Sequence, residues 1–276
     1  QTPSLIRKLM PWRYYIIGVS IVIGVFGTGK ITMTILRYRK YGKKEKEKKE
    51  IMKKAYILGV ILIVAGILIS QYPKLTDFLF RQEAKEKKEE FEKEKRNSKI
   101  KVEELYHELV KRNEALYASR RTGVRDPFLY EQNTIDLSSY GIEDGVVGFV
   151  KIDKLNVELP IYLGASEKNM SMGAAHLAET SYPVGGENTN CVIAAHRGFR
   201  KTAMFRNIQK LQVGDPVVIE NFREVLKYEV SDIEIIEPSQ TDKLLIRQGE
   251  DMVTLLTCHP YGSNAKRYLV YCKRVN

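Results

Sequence analysis

Cysteine and histidine are scarce in this chain, with three of the first and four of the second among 276 residues. The cysteines (Cys191, Cys258, Cys272) form no C-x-x-C pair. The histidines (His107, His176, His196, His259) form no H-E-x-x-H. Both absences argue against a zinc site, and the expectation is no metal and no cofactor. No internal repeat and no long Gly/Ser linker appears, so nothing points to a tandem array. Charge imbalance is also lacking over most of the length. Residues 81–276 carry 30 Lys+Arg against 30 Asp+Glu, and the whole excess of +11 sits in residues 1–80. A balanced folded part argues against a nucleic-acid footprint. A phosphate-cradling loop is missing too: "GVFGTGKI" (24–31) has the spacing of G-x-x-x-x-G-K-[ST], but Ile31 stands where a magnesium-binding hydroxyl is required.

What the N-terminal part does contain is two apolar runs, "YYIIGVSIVIGVFGTG" (14–29) and "AYILGVILIVAGILIS" (55–70). Neither shows a polar face. Trp12, Tyr14, Tyr15, Tyr56 and Tyr72 extend them as interfacial aromatics toward the ~20 residues that cross a bilayer. Two transmembrane helices are therefore expected, making residues 1–80 a membrane anchor. The first run lacks a small-residue cleavage site and does not read as a removable signal peptide. Between the runs, "RYRKYGKKEKEKKEIMKK" (37–54) has ten basic and three acidic residues. By the positive-inside rule this loop is cytoplasmic and everything after Tyr72 lies outside the cell.

Residues 81–121 are dense in helix formers with opposite charges at helical spacing, and read as a helical stalk. The first half is polar all round and is expected to be solvated. From Ile100 onward, Val102, Leu105, Tyr106, Leu109, Val110, Leu116 and Tyr117 recur at helical intervals and form a face able to dock. After a connecting segment (122–145) the texture changes to short apolar runs separated by turns. Strands are expected at 146–152, 157–163, 191–196, 216–220, 225–230, 232–236, 253–258 and 267–272, with one helix at about 200–212. The fold class is mainly β, a closed or nearly closed β-barrel over 146–276 with short helices.

Three of these runs carry chemistry at their ends. "CVIAAH" ends on His196, "VTLLTC" ends on Cys258, and "RYLVYC" begins with Arg267. Brought to one rim, imidazolium favours a thiolate and later protonates a leaving amine, while guanidinium donors stabilise an acyl oxyanion. Each residue alone is ordinary; the combination points to acyl transfer. Cys191 and Cys272 read as separate buried thiols. His107, His176 and His259 read as surface or loop residues, with His259 placed beside Cys258 to tune it.

"TLLTC" followed nine residues later by Arg267, with "AAHRG" upstream, resembles the sortases, membrane-anchored cysteine transpeptidases of Gram-positive bacteria. "GAAHLAETSYPVGGENTNCVIAAHRG", "FRNIQKLQVGDPVVI" and "TLLTCHPYGSNAKRYLV" resemble class C, the pilus-assembling members, and the resemblance covers roughly 100–276. It implies a sortase-like closed β-barrel in which Cys258 is the nucleophile, His196 the acid/base and Arg267 the oxyanion stabiliser. It implies cleavage of an LPXTG-type signal between Thr and Gly, with the threonyl group held as a thioester and passed to an amine. That amine is a pilin lysine in pilus assembly and belongs to a peptidoglycan precursor in wall anchoring. Asp126-Pro127-Phe128 resembles the Asp-Pro-aromatic lid of class C, in which Asp126 would pair with Arg267 while Phe128 fills an apolar substrate pocket. Many class C members also carry an apolar segment after the catalytic domain; "CKRVN" is not one, and the anchor is expected on the N-terminal side. Two other readings stay open: a hydrolytic cysteine peptidase, whose papain-like form places cysteine before histidine, and a non-catalytic membrane-tethered scaffold.

Overall fold

The computed structural model describes residues 45–96, 101–119, 135–198 and 202–275. The first apolar run and Asp126, Pro127 and Phe128 lie outside the described residues. The chain divides after Leu75 into two units. What is described of the first is helical. Helix α1 (Glu45–Lys95) contains the second apolar run, where Ile57, Leu58, Ile61, Leu62, Leu68 and Ile69 are exposed. An uninterrupted apolar surface of this length suits hydrocarbon rather than water, and the helix is long and apolar enough to cross a membrane.

The second unit is built on a barrel. Among the described residues, eight strands close in the order β1-β2-β3-β4-β7-β8-β6-β5, with β5 returning to β1. They are β1 (Val146–Ile152), β2 (Val157–Leu163), β3 (Ala174–His176), β4 (Thr189–Ala194), β5 (Pro216–Asn221), β6 (Val225–Ile236), β7 (Asp251–His259) and β8 (Lys266–Arg274). The β2–β3 and β4–β7 pairs are parallel and the others antiparallel. Closure removes free sheet edges and encloses a core in which Val150, Ile152, Ile161, Ile193, Leu255 and Val270 have no exposed surface. Where β1 meets β5 the strands come so close that a Cβ on Gly148 would collide with the Glu220 carbonyl oxygen. Only glycine fits there.

Most expected strands match in position, and the exceptions have physical causes. The runs at 225–230 and 232–236 are one strand, β6, bent by a register shift between Val230 and Asp232. The intervening Ser231 donates its hydroxyl to the Tyr271 carbonyl, which satisfies the irregularity in place. The helix expected at about 200–212 is corrected: its described part is turns and one 3₁₀ turn, Ile208–Lys210. Met204 has φ 38°, outside the helical region, and Leu211 is extended, so the periodic apolar residues belong to a bent loop. Two elements escaped the sequence reading, the three-residue β3 and the short helix α3 (Glu167–Met172), capped by Ser166 Oγ accepting from the Asn169 amide at 3.1 Å. Each is too short to show a period.

The expectation of a solvated first half for the stalk is also corrected. Residues 81–95 form the end of α1, and Phe91 there is only 2% exposed, with its ring centroid 5.4 Å from Phe149 and 4.7 Å from Phe222. Lys88 and Lys95 converge on Glu220 of β5, and Lys88 Nζ also sits 4.9 Å over the Phe149 ring. One aromatic anchor with amphipathic lysine stems around it docks a segment that looks uniformly polar in sequence. Helix α2 (Val102–Ala118) docks as its periodicity suggests, through Leu105 and Leu109. Its buried Asn113 accepts from the Tyr182 amide at 2.7 Å and donates to the Tyr182 carbonyl at 3.3 Å.

Candidate active site at one end of strands β4, β7 and β8

Strand β7 is the axis of the site. Six successive residues, Met252 to Thr257, are buried because the strand lies between β4 and β8 with protein on both faces. Beyond them burial relaxes at the last two residues, Cys258 and His259. In the antiparallel β7–β8 register Cys258 stands directly opposite Arg267. Directly opposed residues project to the same face, so register alone sets thiol and guanidinium side by side. On the other flank β4 runs parallel, Ala194 level with Leu256. His196 follows Ala194 by two residues, as Cys258 follows Leu256, so the parallel run directs it toward the same end of the sheet. The ladder continues past the end of β4, with the Ala195 amide donating to the Leu256 carbonyl at 3.1 Å and Thr257 Oγ1 donating to the Ala195 carbonyl at 2.7 Å. Thus Cys258 and Arg267 face each other on adjacent strands, and His196 lies two residues past the end of the strand on the other flank.

Each of the three sits differently. His196 is half-buried, its carbonyl accepting from the Phe205 amide at 3.1 Å, and burial lowers its pKa below the ordinary histidine value. Its neutral form is favoured, and a positive charge placed there needs a nearby negative one. Cys258 is half-buried and, among the described residues, forms no disulfide. Arg267 is 5% exposed, and its Nη1 donates to the carbonyls of Asn264 at 2.8 Å and Lys266 at 3.0 Å. The first belongs to the loop between β7 and β8 and the second to the first residue of β8, and together they orient the guanidinium.

Two residues beside them were not singled out by sequence. Arg197, only 9% exposed, donates from Nη1 to the Cys258 carbonyl at 3.3 Å and to His259 Nδ1 at 2.7 Å, and from Nη2 to Gln209 Oε1 at 2.9 Å. Thr257 is wholly buried and ties β7 to the chain just before His196. Both lie inside quoted motifs, yet arginine and threonine at strand ends carry no distinguishing pattern. Gly198 completes the turn at φ +90°, and a Cβ there would come within 2.9 Å of Arg206 Nε. The glycine of "AAHRG" is thus favoured by its backbone conformation.

The remaining histidines and cysteines fall elsewhere. His176 is corrected from a surface or loop residue: it lies on β3 at 1% exposure, stacked 4.8 Å from Tyr182. Its Nε2 sits 3.2 Å from the Thr180 carbonyl and 3.1 Å from that of Ser181, to which an Nε2–H donates. Burial pushes its pKa down to about 4. His107 is exposed on α2, and His259 is half-buried, its pKa lowered by burial, then by Arg197 and Lys266. Cys191 and Cys272 are both free and buried, and burial raises both thiols well above the ordinary range. They face the same residue, Val253, from opposite sides of β7. Two strand spacings, about 9.6 Å, exceed disulfide reach.

Comparison with known proteins adds a family. Residues 150–275 match the sortase domain. Among solved structures, Streptococcus agalactiae sortase C1 is 38% identical, covering 67% of this chain and 95% of that one at a TM-score of 0.61. Streptococcus pneumoniae sortase C, described for its pilin substrate specificity, is 35% identical, covering 68% and 95% at 0.59. Among curated proteins, sortase D of Bacillus subtilis and sortase A of Bacillus anthracis are each 30% identical, over 46% and 45% of this chain. The chain spans 63% and 58% of their respective lengths.

Proposed function

Because this chain belongs to the sortase family, whose members are cysteine transpeptidases and whose class C members are among its solved neighbours, we propose that it cleaves an LPXTG-type sorting signal and joins the product to a pilin lysine. The observation that carries this reading is the β7–β8 register, Cys258 opposite Arg267, with His196 just past the end of β4 on the other flank of β7. In the acylation step Cys258 Sγ attacks the threonyl carbonyl and its proton passes to His196. Burial keeps that imidazole neutral beforehand and therefore ready as a base. The carbonyl oxygen becomes an oxyanion within reach of Arg267 donors. Collapse breaks the Thr–Gly bond, His196 returns the proton to the leaving glycine nitrogen, and the acyl group remains as a thioester. A neutral lysine amine then attacks the thioester, His196 removes its extra proton, and Cys258 leaves as thiolate and is reprotonated. One isopeptide bond forms as one peptide bond is lost.

The same reading puts the barrel outside the cell, because the basic stretch 37–54 belongs with the cytoplasm. It assigns residues 1–80 to a two-helix anchor, 81–121 to a stalk, 122–145 to lid and connection and 146–276 to catalysis. Asp126, Pro127 and Phe128 form the lid. The test is intact-mass analysis of the detergent-solubilised full chain, and of Phe128→Ala, with an LPXTG-type peptide and a lysine-bearing pilin peptide. A thioester adduct lost in Cys258→Ala, plus peptide joined to the pilin lysine, is the expected result. Transfer only to a wall-precursor amine would replace pilus assembly by wall anchoring, hydrolysis alone would make the protein a peptidase, and no adduct in either folded version would overturn the acyl-transfer reading.

A further inference from the structure

Arg197 is a buried cation with an unusual set of partners. Among the described residues it makes no ion pair, and its Nε has no hydrogen-bond partner. A guanidinium in such a place is costly unless its charge is used. Its contacts reach every segment that carries a residue of the proposed chemistry. It follows His196 in the chain, it donates to the Cys258 carbonyl at 3.3 Å, and its Cζ lies 5.5 Å from the ring centroid of Tyr268, the residue after Arg267. We infer that Arg197 is a positioning residue, clamping the strand ends that bear His196 and Cys258 at a fixed separation and setting a constant positive charge beside the thiol. The inference rests on the proposed roles of those two residues.

Three details support it. The clamp has two points on β7, since Nη1 bonds both the Cys258 carbonyl and His259 Nδ1, and a third on the loop after β4 through Gln209. A planar fork holds such a geometry where a lysine ammonium does not. Second, an arginine nitrogen only donates, so His259 Nδ1 must be the acceptor and its ring proton sits on Nε2. His259, opposite Lys266 in the register, is thereby held neutral, and no mobile second charge competes beside Cys258. Third, burial lowers the Arg197 pKa while Tyr268 and Cys258 work in the opposite direction. By reciprocity the guanidinium favours the thiolate.

The test compares Arg197→Gln and Arg197→Lys in the detergent-solubilised full chain by two readouts. The first is the pH dependence of Cys258 alkylation by iodoacetamide, which needs no peptide. The second is kcat and KM for transpeptidation. Arg197→Gln should lower kcat about 10- to 100-fold with KM within about twofold, and move the alkylation midpoint about one pH unit upward. Arg197→Lys should restore the midpoint, because charge is kept, without restoring kcat, because the fork is gone. A folded Arg197→Gln with native kcat and native midpoint overturns the inference. If Arg197→Gln fails to fold, Arg197→Lys decides: reduced kcat at a native midpoint supports the clamp, and native kcat overturns it. Should no peptide be joined to any amine while the alkylation profile still shifts, the transpeptidase reading fails and the electrostatic half of this inference stands. Transpeptidation by the parent with unaltered variants would sink the clamp alone.

Discussion

The two ends of strand β7 hold charges in opposite ways. At its start Asp251 is saturated: Oδ1 accepts from Tyr228 Oη at 3.0 Å and Oδ2 from the Gly186 amide at 2.9 Å, with Arg274 at 4.0 Å as a cation. At its end Arg197 bonds only neutral acceptors, and one of its N–H groups is left over. The first end is a closed network that can only lose by change. The second holds an arginine whose charge no carboxylate offsets among the described residues, beside half-exposed side chains, as a site that must meet a changing charge during reaction requires. Six residues lie between fixed architecture at Asp251 and chemistry at Cys258.

The comparison can be broken most sharply at Cys258. Cys258→Ala should abolish product, a loss of at least about 10³-fold by product mass analysis, while shifting thermal stability by under about 1 kcal/mol because the thiol is only half-buried. A smaller but still large effect belongs to a histidine away from the rim. His176 carries its proton more weakly folded, at about 4, than unfolded, near 6.5. The unfolded chain therefore binds more protons between those values, so the contribution is fully present above pH 6.5 and is lost as pH falls toward 4. Its ceiling is about 3 kcal/mol, measurable by denaturant titration at several pH values. His176→Gln should flatten that dependence. Next comes the saturated end. Asp251→Asn should cost about 1–3 kcal/mol of stability and leave kcat of the folded fraction within about twofold. A large kcat loss there would show that the two ends are not separable. The smallest effect expected is Cys272→Ala, about 1 kcal/mol in stability with unchanged product yield, since Cys272 fills space on the far side of β8 from the chemistry's rim.

The legible parts of this molecule were those written in local pattern. Apolar runs of five to seven residues between turn residues placed β1, β2, β5, β7 and β8, and in all of these but the alternating β5 the run is buried almost throughout. Ordered motifs brought His196, Cys258 and Arg267 forward as a set. Short or irregular elements were not legible: β3 has three residues, and the segment around Met204 keeps helical spacing while its backbone turns away from a helix. The docking of α1 was hidden because its buried apolar residues, chiefly Phe91 with Ala84, are sparse within a run of Lys and Glu.

By itself, then, the sequence determined that the chain has an apolar segment of membrane-crossing length, a strand-rich second part of balanced charge, and three reactive side-chain types at strand ends. These follow from composition and nearest-neighbour order, which act through local hydrophobicity and backbone preference. Only the tertiary structure decided that Cys258 faces Arg267, that His176 is sealed inside the protein, and that Arg197 reaches the Cys258 carbonyl. Those relations depend on strand register and barrel closure, where a shift of one residue turns every side chain to the other face, and no local pattern encodes that choice.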